Sequence, residues 1–187
     1  MKQCIETTQD IDNIVFRCRV LGRQLSTWLG AYGVAKSLRA EEELLNEIID
    51  KILRVVKDCD HMIRVFFGDE AADGYFKLSS EYAILFISLI DSLVEGELQI
   101  SNEIIKQIYE NVGERAAYLS QVNPYWNKGM LEKYLYNFTE MTIRQINAFM
   151  SEQYKESFDI YDRVLSYSTS YGNFLAEGVK SHLTYST

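Results

Sequence analysis

One proline, two histidines and three cysteines in 187 residues set the first limits on this chain. A lone Pro124 leaves long helices uninterrupted almost everywhere else. With only His61 and His182, the paired Glu-x-x-His motifs of a di-iron bundle cannot be assembled. Cys4, Cys18 and Cys59 are odd in number and lack CxxC spacing, which argues against a disulfide framework or a zinc cluster. The longest apolar run, residues 82–90, is broken by Ser88 and falls far short of the roughly 20 residues of a membrane span. Strand-like alternation, hairpin turns, internal repeats and low-complexity segments are missing as well. Positive charge is scarce: 19 Lys and Arg against 27 Asp and Glu give a net charge of −8 with no basic cluster, so nucleic acid is not an expected partner. Residues 1–10 are too polar for a secretory signal, and a reducing cytoplasm is the expected compartment.

What the chain does have is ordinary globular apolar content, 47%, and thirteen tyrosines, a composition that is neither disordered nor membrane-like. Residues 1–187 are expected to form one domain, large enough to bury roughly 70% of its unfolded surface. Apolar residues recur at spacings of three and four. Ile11, Ile14, Cys18, Leu21, Leu25, Trp28, Tyr32 and Ala35 predict a first helix over residues 9–36, and Leu45, Ile48, Ile52, Val55, Cys59, Met62 and Phe66 a second over 40–67. The junction near residues 37–39 is poorly marked. Gly22, Gly30 and Gly33 imply close approach by a neighbouring helix. Gly68 as a stop and Asp69 as an N-cap place a third helix at 70–94, apolar nearly all round and therefore central. Ser101 is expected to cap a fourth. A fifth covers 128–149, and a sixth starts near Tyr154 with Phe158, Tyr161, Leu165, Ser168, Tyr171, Leu175 and Val179 inward; residues 182–187 are expected to fray.

The sharpest local signal is Asn123-Pro124-Tyr125-Trp126. Pro124 ends the fourth helix, Asn127 caps the fifth, and Trp126 stands before the cap with Leu131 four residues inside, the spacing of a hydrophobic staple. The fold class is all-α: an up-and-down bundle of four or more long antiparallel helices, ferritin-like or similar.

Chemistry is less visible. Asp58 and His61 stand three apart, a single short-armed copy of a metal-binding pair, so they are only weak ligand candidates and no metal is expected. No phosphate-cradling glycine loop follows a strand, and no cysteine has a histidine nearby in sequence; the chain reads as non-enzymatic, with no cofactor. Polar residues on apolar helices remain: Glu81 and Asp91, Glu140 with Arg144 four residues on, and Asp162 beside Tyr161. Charges that emerge between helices to solvent are the commoner case. The sharper reading is a polar pocket inside the bundle, with Glu81 paired to Arg19 or Arg144 and Tyr82 and Tyr161 as lining.

From Gly68 onward the chain resembles a family of uncharacterised bacterial helical proteins, some of them automatically labelled acetylglutamate kinase. The elements that carry the resemblance are Gly-Asp-Glu-Ala-Ala from Gly68, Ala-Tyr-Leu-Ser-Gln-Val-Asn-Pro-Tyr-Trp ending at Trp126, Tyr161-Asp162, and Glu177-Gly178-Val179. It implies a ferritin-like bundle and no established reaction. Family members carry a His before Trp-Thr-Arg on the first helix and a His on the third; here the corresponding regions, 28–36 and 80–82, have neither. An activity resting on those histidines would be lost in this chain. The kinase label conflicts with an all-helical sequence, because amino-acid kinases need a parallel sheet. Two classes of function stay open: a bundle that binds a partner or forms a homodimer, and a ferritin-like bundle that binds an unidentified small molecule or a metal at a degenerate site.

Overall fold

The computed structural model describes residues 8–185, with the backbone path alone for 8–12. Six helices account for nearly all of it: α1 (Thr8–Ser37), α2 (Glu42–Phe67), α3 (Asp69–Val94), α4 (Leu98–Val122), α5 (Lys128–Met150) and α6 (Tyr154–Tyr185). There is no strand among the described residues, as the periodicity predicts. Cys4 lies outside the described residues.

Short connections force consecutive helices to pack as neighbours, and each does; α6 then returns to pack against α1, closing a six-membered ring. Inside it, α1, α3 and α5 also touch one another. Most of the apolar girth of α3 has its explanation here, since α1, α2, α4 and α5 all pack on it, although Phe76 and Ile84 stay exposed. The junction after α1 is a turn at residues 38–41 in which Arg39 takes φ 55°. Gly68 alone joins α2 to α3, at φ 88°, a backbone state that suits glycine.

Several expected details differ. Asp69 does not cap α3: its carboxylate meets Arg64 at 2.7 Å, a stronger partner than a helix N–H. Ser101 is not the cap of α4 but lies buried one turn inside, its hydroxyl donating to the Glu97 carbonyl at 3.0 Å and pairing with Ser92 Oγ at 2.9 Å. Tyr154 and Phe158 face outward, where both pack on the Phe149 ring. His182 is not frayed; its ring packs against Phe67, centroids 4.8 Å apart.

The corner between α4 and α5 is built as its residues dictate. Asn123 Oδ1 accepts the Tyr125 N–H at 3.1 Å, and Asn127 Oδ1 caps α5 through the Met130 N–H at 3.0 Å. Trp126 is 1% exposed and shares the core with fully buried Leu131. Its Nε1 donates to the Leu175 carbonyl on α6 at 3.0 Å, and the indole lies where a Cβ at Gly178 would stand. Gly172 brings α6 onto the α1 backbone: a Cβ there would meet Cys18 and Arg19 main-chain atoms at 2.8 Å. Gly22 faces the Ser168 carbonyl from the other side of the same contact, at 3.1 Å, whereas Gly33 has ordinary room beside Ile146.

Candidate functional site

The charged residues that stand out in the sequence do not converge. Glu81 is exposed at the border of α3 and α4, where it accepts the Asn111 Nδ2–H at 3.1 Å and has no arginine partner. A carboxylate at such a border reaches water without desolvation, which removes the reason for an ion pair. Arg19 donates instead to Asn173 on α6, and Arg144 is exposed on α5. Glu140 and Asp162 also face outward, and half-buried Tyr161 sets its ring against Gly30. Asp91 pairs with Lys36 at 3.0 Å and accepts the Tyr32 hydroxyl at 2.8 Å. Asp58 and His61 are exposed on α2, and among the described residues no three His, Cys, Asp or Glu side chains are grouped to hold a metal. Of the residues expected to form the polar pocket, Tyr82 alone is in the core.

Tyr82 leads to a different centre. On α4, Ile108, Asn111, Val112, Arg115, Ala116 and Leu119 follow the three-and-four spacing of one helical face, and all are buried. That spacing carries an arginine into the interior: Arg115 is 4% exposed. Its guanidinium carbon lies 4.4 Å from the centre of the Tyr82 ring and 5.9 Å from that of Tyr75, both on α3. Nη2 approaches the Tyr75 hydroxyl at 3.5 Å, a marginal hydrogen bond. Nε and Nη1 meet no acceptor, and neither does the buried Tyr171 hydroxyl on α6 have a partner. No carboxylate among the described residues forms an ion pair with Arg115.

All six helices contribute to this centre or brace it. Cys59 of α2 and Cys18 of α1 share its electrostatic field, and Thr139 of α5 holds the Tyr82 hydroxyl at 2.8 Å. Cys18 Sγ in turn packs on Met62 Sδ at 3.5 Å. None of these groups supplies a counter-charge. Burial pushes the Cys59 and Cys18 thiols up to about 12, Arg115 opposing the rise at Cys59. Burial likewise lifts Tyr82 to about 12 and raises Tyr75 and Tyr171, again against the pull of Arg115. These thiols and phenols are therefore neutral near pH 7, while an arginine keeps its proton; the carboxylates that reach Cys59, Asp58 and Asp60, lie on the outer side of α2, where Asp60 pairs with Arg64. An unpaired buried charge costs several kcal/mol, and a desolvated cation–π contact returns only about 2 kcal/mol. The buried atoms without a partner at this centre are Arg115 Nε and Nη1, the Tyr171 hydroxyl and, one turn earlier on α4, the acceptor Asn111 Oδ1, so N–H donors remain in excess beside one positive charge. Chemically, such a place attracts an anion.

This centre was readable in principle. Arg115 stands seven residues after Ile108 and four before Leu119, on the stripe itself. What hides it is the expectation that a charge on a helix faces out. Two shallow surface depressions of about 450 and 520 Å³, at the α5–α6 turn and between α1 and α6, are separate from it, and Arg115 lines neither. Among the described residues no helix is long and apolar enough to cross a membrane. The chain matches no protein-family model, no curated protein and no solved structure.

Proposed function

We propose that this chain is a non-enzymatic binding protein that takes a small anion into the centre of its helical bundle, with Arg115 as the recognition residue. The observation that carries the reading is the buried guanidinium whose Nε and Nη1 have no protein acceptor. Helix-bundle cores are a usual position for ligand sites, and arginine is the residue suited to desolvated anion recognition. The groups around it favour binding over turnover: thiols and phenols held protonated offer neither an activated nucleophile nor a general base near neutral pH.

Urea denaturation in an anion-poor buffer, with and without added anion, tests this. A ligand at a hundred times its dissociation constant stabilises the folded state by about 2.7 kcal/mol. The natural chain should show such a gain and Arg115→Met should not. Equal responses in the two proteins would refute the reading.

A further inference from the structure

Resting on that reading, we infer that the anion is a small carboxylate, held in the plane of the Arg115 guanidinium and donated a further hydrogen bond by the Tyr171 hydroxyl. Charge comes first. Arg115 brings a single positive charge, and the Tyr75, Tyr82, Tyr171, Cys18 and Cys59 side chains around it are neutral. A monoanion brings the centre to neutrality; a dianion such as hydrogen phosphate or sulfate leaves a net negative charge in a desolvated core. Shape comes second. The guanidinium carbon lies over the Tyr82 ring at 4.4 Å, and the Nε and Nη1 N–H groups, which lie in the guanidinium plane, are left for the anion. Coplanar approach at the rim is how guanidinium meets carboxylate, with two oxygens to engage two N–H groups. A halide is a single point and cannot use separated donors as well.

The third argument is donor placement. Tyr171 Oη is buried without a partner and feels the Arg115 charge, which makes it the donor we assign to an oxygen bound at Arg115. Size is limited by the neighbouring turn: at Gly172, adjacent to Tyr171, α6 rests on the Cys18 and Arg19 backbone. The two helices cannot part there to admit a long chain. Formate and acetate, the smallest carboxylates, demand the least opening beside this contact.

The test uses full-length protein labelled with ¹⁵N-arginine, the Nε–H resonance of Arg115 assigned by its loss in Arg115→Lys. It is titrated with sodium formate, acetate, nitrate, bicarbonate, chloride and sulfate at constant ionic strength. Formate or acetate should give a saturable shift of that resonance at the lowest concentrations. Tyr171→Phe, which keeps the ring, should bind about tenfold more weakly, the effect of one hydrogen bond to a charged group. Tighter saturation by nitrate, bicarbonate, chloride or sulfate would overturn the carboxylate assignment while leaving an anion site at Arg115. No saturable shift with any anion would overturn the site as well. Unchanged formate affinity in Tyr171→Phe would overturn the proposed geometry.

Discussion

Arg115 and Tyr82 share one aromatic ring in two ways: the guanidinium carbon sits 4.4 Å from the ring centre, while the hydroxyl at the ring's edge bonds Thr139 at 2.8 Å. The two interactions can therefore be removed separately. Tyr82→Phe loses only the hydroxyl bond and should destabilise by about 1 kcal/mol. Tyr82→Leu also removes the π face. In a double-mutant cycle with Arg115→Met, the Leu substitution should show a coupling of about 1 to 2 kcal/mol and the Phe substitution almost none. Equal couplings would mean that the ring does not hold the guanidinium.

In anion-poor buffer Arg115→Met should itself leave stability unchanged or raise it, by up to about 4 kcal/mol, because a neutral side chain of similar length replaces an unpaired buried charge. Urea denaturation midpoints read this directly. A strong loss of stability would show that the guanidinium is satisfied by the folded protein alone.

At the corner, Trp126→Ala should destabilise by about 3 to 5 kcal/mol, and Gly178→Ala by about 1 to 3 kcal/mol because its methyl group meets the indole. The second effect depends on the first. With Trp126 already truncated, Gly178→Ala should be nearly neutral, and additive effects in the double mutant would place the indole elsewhere.

Glu81→Gln should change stability by no more than about 0.5 kcal/mol, as befits an exposed carboxylate whose one neighbour is Asn111 Nδ2. Asn111→Ala should be the costlier change, since its buried Nδ2 also satisfies the Leu78 carbonyl at 3.0 Å. Chemical denaturation of both single mutants gives the order.

Alkaline pH should loosen the core in a defined window. Folding raises Cys18 from 9.0 to about 12, so above pH 9 the unfolded chain releases a proton that the folded chain keeps. Stability is then complete below pH 9 and falls as pH climbs toward 12, by up to about 1.4 kcal/mol per pH unit for each such thiol. Cys59 shifts in the same direction. Denaturation curves at pH 8 and pH 10.5 measure the slope; in a Cys4→Ser background, both thiols should also resist alkylation at pH 8 until the chain unfolds.

Local chemistry was legible wherever it decided the outcome locally. Pro124 and Asn127 set the corner through a missing N–H and a capping oxygen, and both act within three residues of themselves. Apolar stripes placed six helices for the same reason. Glu81 shows the opposite case: its sequence neighbours are apolar, but successive residues on a helix point about 100° apart, so buried Tyr82 says little about residue 81. Arg115 lies on the stripe, yet what receives it in the interior are the Tyr82 and Tyr75 rings from α3. Those come from tertiary pairing that no window of sequence contains. Ser101 and Asp69 have the chemistry of caps, but stronger partners, Ser92 and Arg64, arrive from other turns.

The contact of α6 with α1 also governs the order in which the chain can assemble. Ser26 meets Ser168 across 142 positions of sequence, whereas each of the other neighbouring pairs is joined by a short turn. Five helices can zip up hairpin by hairpin, each new contact closing only a short loop. During synthesis the flank of α1 that carries Gly22 and Ser26 has no covering until the last helix emerges. The seam between the first and last helices is thus the natural final step of folding.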